Sequence, residues 1–251
     1  MHARSLPVMI IRMSSASLIT DLAAASRILA AHGVVDSFGH VSLRHPERAG
    51  RYLMSRAVAP ALVTPDDIME YDLDSNPVNA DGRSSFLERF IHGEIYKARP
   101  DIQSVVHSHS PSVIPFGLVR VPLEAMFHNA AFIAKGVPVF DIREKFGSTD
   151  MLVSSREKGA ALASVLGSKD VVLMRAHGSA ACGGTLQRAV FRAVYTEVNA
   201  RIQHWTMALS SGEGMAVLNA DEGRLADDVN QNAAMRAWEL WRSQVRAQVN
   251  W

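Results

Sequence analysis

Three histidines and one glutamate in this chain are of the types, and near the spacings, that hold a metal ion. Within residues 86–110, FLERFIHGEIYKARPDIQSVVHSHS, a strand is expected to end in His-Ser-His. Side chains of a strand alternate faces, so His107 and His109 point the same way. Two imidazoles side by side at a strand end are placed to grip one divalent ion. His177 follows a second apolar run, Val171–Met174, in the form Arg-Ala-His-Gly. Three neutral imidazoles with a fourth position open describe a catalytic metal site. Glu88 precedes the first of them on the expected helix, and is a candidate fourth ligand or acid/base group. Its spacing alone favours a solvated helix charge. A lone histidine would likewise read as a capped or hydrogen-bonded core residue.

Around these residues the pattern predicts a helix over 17–32, stopped at Gly33, then strands at HVSLR (40–44), at 51–54 and at 70–74. Thr64-Pro65 reads as a helix start, and Ser84 or Ser85 as the cap of a helix beginning at Phe86. On that helix Glu88 and His92 would be neighbours at i, i+4. After a short helix opened by Pro111, the segments AMFHNAAFI and GVPVFDI read as strand-like. Later helices are expected from Ser154/Ser155 to Gly167, from Thr185 to about Leu209, and from about Asn219 to Val245. Gly183-Gly184 and Gly212–Gly214 read as turns, since neither has the strand-to-helix form of a nucleotide loop.

The chain has 251 residues, enough for one large domain, and a net charge of +1 that gives no electrostatic case for nucleic acid. Cys182 is the only cysteine, so no intrachain disulfide can form. No apolar stretch approaches the roughly 20 residues needed to span a membrane. The opening segment has too short an apolar patch for a signal core, and a cytoplasmic setting is expected. Residues 1–13 read as an extension ahead of a domain over 14–251, with Met13 an alternative start.

His-Ser-His, the glutamate ahead of it, the ARPD turn, the later Ala-His-Gly and the early FGHVSLR together resemble the class II aldolase/adducin family. The resemblance runs from about Leu18 to His204. It implies an α/β/α sandwich around a mostly antiparallel sheet, with one divalent metal ion per subunit on His107, His109 and His177. A functional Glu88 and a homotetramer with active sites at subunit interfaces are also implied. Imidazole ligation suits zinc, manganese, iron or cobalt without selecting among them; Mn or Zn is the expected ion, with Co, Fe or Mg as alternatives. Sugar-phosphate aldolases of the family carry G-N-x-S in the early loop, where Gly39-His40-Val41-Ser42 stands here. LERFIHGEIYKARP, HSHSPSVIPFG and MFHNAAFI are closer to a branch that decarboxylates hydroxylated aromatic or heteroaromatic dicarboxylates.

The implied chemistry is a divalent-metal-dependent lyase acting on such an aromatic acid through a metal-stabilised, enolate-like intermediate. A metal-dependent aldolase is the alternative, and a non-enzymatic interaction module a third reading. Glu88, His40, His128 and Tyr195 are the catalytic candidates. Gly39, Ser42, Ser84 and Ser85 are candidates for binding substrate. Arg44, Arg143 and Arg175 are candidate carboxylate clamps, because a guanidinium fork matches two oxygens. Trp238, Trp241 and Trp251 are expected at a subunit interface.

Overall fold

Period-two alternation along the strands divides their side chains between two separate cores. A computed structural model describes residues 15–210 and 214–249. The extension at 1–13, with Met13, and Trp251 lie outside the described residues. Among the described residues seven strands form one sheet: β1 (His40–Arg44), β2 (Arg51–Ser55), β3 (Ile68–Asp72), β4 (Ser104–Ser108), β5 (Val139–Phe140), β6 (Val171–Met174) and β7 (Gly178–Gly183). Their order is β3-β2-β1-β4-β7-β6-β5, and only β5–β6 is parallel.

Val41, Leu43, Val106, Leu173 and Ala181 face one core, shared with helix α1 (Ser15–Ala31). Val105, Val172, Met174, Ala180 and Cys182 face the other, shared with α2 (Phe90–Ala98). A short α3 (Arg143–Phe146) leads to α4 (Arg156–Leu166), which joins α2 on that second face. The long α5 (Leu186–Leu209) and α6 (Ala220–Arg246) pack with α1 on the first. The α/β/α arrangement around a mostly antiparallel sheet is therefore the fold. No helix among the described residues is long and apolar enough to cross a membrane.

Caps fix the helix starts. Ser155 accepts the Lys158 N–H, Thr185 the Arg188 N–H, and Asn219 those of Asp221 and Glu222. Gly33 ends α1 with φ +67°, a conformation glycine adopts without strain.

Several expectations change. Thr64-Pro65 opens a single 3-10 turn, Pro65–Asp67, rather than a longer helix. AMFHNAAFI holds a 3-10 segment, His128–Lys135, in which Ala130 to Ile133 are buried consecutively instead of alternately. GVPVFDI contributes only the two residues of β5. GSAACG, read partly as a turn, is β7, buried at all six positions between β4 and β6. Trp238 and Trp241 are buried in their own domain, with Trp241 edge-on to His32 of the α1 turn at 4.6 Å.

Candidate metal centre

Three neighbouring strands bring their ends to one place. His40 of β1 lies opposite His107 of β4, and His107 lies opposite Ala180 of β7. Residues paired across strands share a face, so His40, Ser42 and His107 look toward α2. Gly39 makes the turn into β1 with φ +97°, and a Cβ there would stand 3.0 Å from the His107 carbonyl oxygen. His109 follows the end of β4, and His177 precedes β7 in the tight link from β6. Ala176 takes φ +55° in that link, a left-handed backbone uncommon for a residue with a Cβ. Gly178 comes next, where a Cβ would meet the Ser108 carbonyl oxygen at 2.0 Å.

Glu88 arrives from the opposite layer. The helix does not begin at Phe86 as expected; a 3-10 turn, Leu87–Arg89, precedes α2, and Ser84 and Ser85 do not cap it. Glu88 itself has φ −91° and ψ 17°, outside helical values. The kink separates Glu88 from the face of α2, so its carboxylate turns to His107 and His177 while His92 bonds elsewhere.

Ligand atoms of Glu88, His107, His109 and His177 all lie within 4.8 Å of one another. Glu88 Oε2 is 3.4 Å from His107 Nε2 and 3.2 Å from His177 Nε2. His109 Nε2 and His177 Nε2 are 3.1 Å apart. The outer nitrogens are held by backbone: His107 Nδ1–H donates to the Ser179 carbonyl at 3.0 Å, and His177 Nδ1–H to Met151 at 3.1 Å. That tautomer turns the Nε2 lone pairs inward, as in metal-ligating histidines. His107 Nε2 is buried with no hydrogen-bond partner, the condition of a nitrogen awaiting an ion. The donor set fits a divalent metal.

Burial alone would raise the Glu88 carboxyl, but His107 and His177 override it and hold the group well below the usual carboxylate range. Burial, with His107 and His177 beside it, pushes His109 down to about 4. Burial works against charge on His177 too, yet its bond to Glu88 raises it above its ordinary value. Glu88 Oε1 accepts the Val153 N–H at 2.9 Å, anchoring the carboxylate.

A cavity of about 440 Å³ opens beside the cluster. Phe38, Phe86, Leu87 and Leu152 wall it, Glu88, His107 and His109 reach it, and Ser37, His40 and Ser85 supply its other polar side chains. Among the described residues, no Lys or Arg lines it.

A match to the Class II Aldolase and Adducin N-terminal domain covers residues 20–204. The chain belongs to this family. It is 38% identical over 239 residues to decarboxylase tropJ of Talaromyces stipitatus, across 87% of this chain and 90% of that one. It is 29% identical over 239 residues to the 3,4-dihydroxyphthalate decarboxylase of Arthrobacter keyseri, across 89% and 91%. L-fuculose 1-phosphate aldolase from Glaciozyma antarctica shares the fold, with a TM-score of 0.77 at 20% identity over 98% of this chain and 94% of that one. This family member is a lyase of the class II aldolase type, in the branch that resembles hydroxyaromatic decarboxylases.

The histidine–glutamate cluster could hold a divalent ion, and Gly39, His40 and Ser85 of the expected site residues line the adjoining pocket. Others lie elsewhere. Ser42 is fully buried, between His92 and Tyr96, with no route to a substrate. Arg44 binds the carbonyls of Tyr96, Arg99 and Ile102 and so closes the end of α2. Arg143 and Arg175 both pair with Asp141. Ser84 is absent from the pocket wall, its carbonyl taken by the Ala57 N–H. His128 is exposed away from the pocket, and Tyr195 packs among Phe127, Phe191 and Trp241. The alternation of HVSLR is the sequence signal for the face that His40 and Ser42 share with His107.

Proposed function

We propose that this lyase decarboxylates a hydroxylated aromatic or heteroaromatic acid. The observation that carries the reading is the pocket wall. Beside the histidine–glutamate cluster stand two aromatic rings and two leucines and, among the described residues, no lysine or arginine to hold a phosphate. A planar ring fits such walls; a phosphorylated sugar would leave its charge unanswered. The names of the two decarboxylase relatives support the same reading.

His107, His109 and His177 would hold the ion, Mn or Zn in this reading, which supplies a Lewis acid for a substrate oxygen, and the Glu88 carboxylate stands beside them. Glu88 begins ionised. It takes the proton of the ring hydroxyl and returns it to the carbon that bears the carboxylate. The bond from that carbon to the carboxylate then breaks, CO2 leaves, and the electron pair falls back into the ring and onto its oxygen. Aromaticity returns, and water reprotonates the phenolate. Phe38 and Phe86 hold the ring and exclude water. A homotetramer with pockets at subunit boundaries, in the cytoplasm, belongs to this reading. The exposure of Phe38 and Leu87 at the pocket supports a covering subunit there.

The test is incubation of purified protein, loaded with Mn or Zn, with ortho-hydroxy aromatic mono- and dicarboxylates while CO2 release is followed. Release that a chelator abolishes is the expected result. Metal-loaded protein that releases no CO2 and instead yields an aldehyde from hydroxy-carbonyl substrates would make it an aldolase.

A further inference from the structure

A file of hydrogen bonds leads away from the pocket into the second core, through residues the metal centre does not use. His40 Nδ1 meets His92 Nε2 at 2.6 Å, and His92 Nδ1 meets Ser42 Oγ at 2.6 Å. Ser42 Oγ meets the Tyr96 hydroxyl at 2.7 Å, and that hydroxyl lies 3.4 Å from the Gln103 carbonyl. Ser42 and His92 are fully buried, and Tyr96 nearly so. The ring of His40 lines the pocket with Nδ1 engaged, which leaves Nε2 as its free nitrogen.

Each contact in such a file holds one proton, so the direction chosen at one end fixes the other. Tyr96 has two acceptors to choose from. Ser42 at 2.7 Å is at the usual O–H···O distance, whereas the Gln103 carbonyl at 3.4 Å is beyond it. Tyr96 O–H therefore donates to Ser42, Ser42 O–H to His92 Nδ1, and His92 Nε2–H to His40 Nδ1. His40 is left with its hydrogen on Nε2. A protonated His92 would still donate to His40 and give the same outcome.

We infer that Tyr96, Ser42 and His92 are positioning residues that lock His40 as an Nε2–H donor, aimed at an anionic oxygen of the substrate. The inference rests on reading this pocket as the lyase site. His40 does not protonate carbon. Surrendering its one hydrogen would create an imidazolate or, if the file relayed its protons toward His40, a buried tyrosinate at Tyr96, whose hydroxyl burial pushes well above its ordinary value. Among the described residues no lysine or arginine lines the pocket, so this fixed neutral donor adds a directional hydrogen bond, beside the ion, to the charge that collects on the ring oxygen.

The test is 15N NMR on histidine-labelled, zinc-loaded protein, with His40 assigned from the His40→Gln variant. The Nε2–H tautomer of His40 is expected, and an Nδ1–H tautomer would overturn the inference. This readout needs no substrate, so it can hold even if no hydroxyaromatic acid is turned over. Ser42→Ala should give His40 a mixture of tautomers and cut kcat/KM by roughly tenfold to a hundredfold, the size of a hydrogen bond to a charged group. Ser42→Thr, which restores the hydroxyl, should recover both. His92→Gln can still donate to His40 and should outperform His92→Phe. Ser42→Ala with a wild-type tautomer and unchanged turnover would sink the role of the file.

Discussion

His109 and His177 face each other through their Nε2 atoms at 3.1 Å, while Nδ1 of His177 is committed to the Met151 carbonyl. Two ring lone pairs at that distance repel unless a proton or a cation stands between them. His109→Ala should therefore lower metal affinity by at least about a hundredfold, beyond what loss of an outer-shell partner costs. The fold should persist, since His109 lies past the end of β4. Metal analysis and circular dichroism check both. Full metal content in the variant would remove His109 from the ligand set.

Glu88→Gln keeps an oxygen for the Val153 N–H but loses the charge and the ability to carry a proton. Metal content should stay near one ion per chain, and kcat should fall about 10²- to 10⁴-fold. A variant that emerges without metal would make Glu88 chiefly a ligand.

Acid should destabilise the metal-free protein well before its carboxylates titrate. His40, His92 and His109 are all depressed below their ordinary 6.5 by burial first, His92 to about 3 and His109 to about 4. His32 and His45 shift the same way. Between 6.5 and those values the unfolded chain binds more protons, so stability is present above 6.5 and drains away as pH falls. His177 opposes this: its raised value contributes stability below 6.5 that is lost as pH rises through it. Several groups against one set the sign. Tm of chelator-treated protein should drop by at least about 5 °C between pH 7.5 and pH 5. A Tm that rises on acidification would mean the histidine file is protonated in the native state.

Gly178→Ala places a methyl 2.0 Å from the Ser108 carbonyl, between the strands that flank His109 and His177. Backbone on both sides leaves little room to relax, so the cost should exceed about 2 kcal/mol. Denaturant unfolding measures it, and metal affinity should fall with it because His177 is the adjacent residue. Wild-type stability would mean that β4 and β7 separate easily there.

The clustering of His107, His109 and His177 was legible because side-chain chemistry and strand-end position coincide there. The two-faced sheet was legible in part. β7 was not, because Gly, Ser and Ala carry little strand signal, and its position between two strands is a tertiary fact. The arginines misled for a related reason. Arg44, Arg143 and Arg175 have the right chemistry for a carboxylate, yet protein carbonyls and Asp141 occupy them. His92 was visible as a neighbour of Glu88 on an ideal helix, but the kink at Glu88 sends the two to different partners.

An ion joining His109 to His177 would tie together positions 68 residues apart in a chain with one cysteine. Chain-entropy arguments give a covalent cross-link around a loop of that size roughly 4 kcal/mol through the unfolded ensemble. The bound ion would act as a reversible staple of the same kind, closing a loop that itself carries Met151 and Val153, the backbone partners of His177 and Glu88.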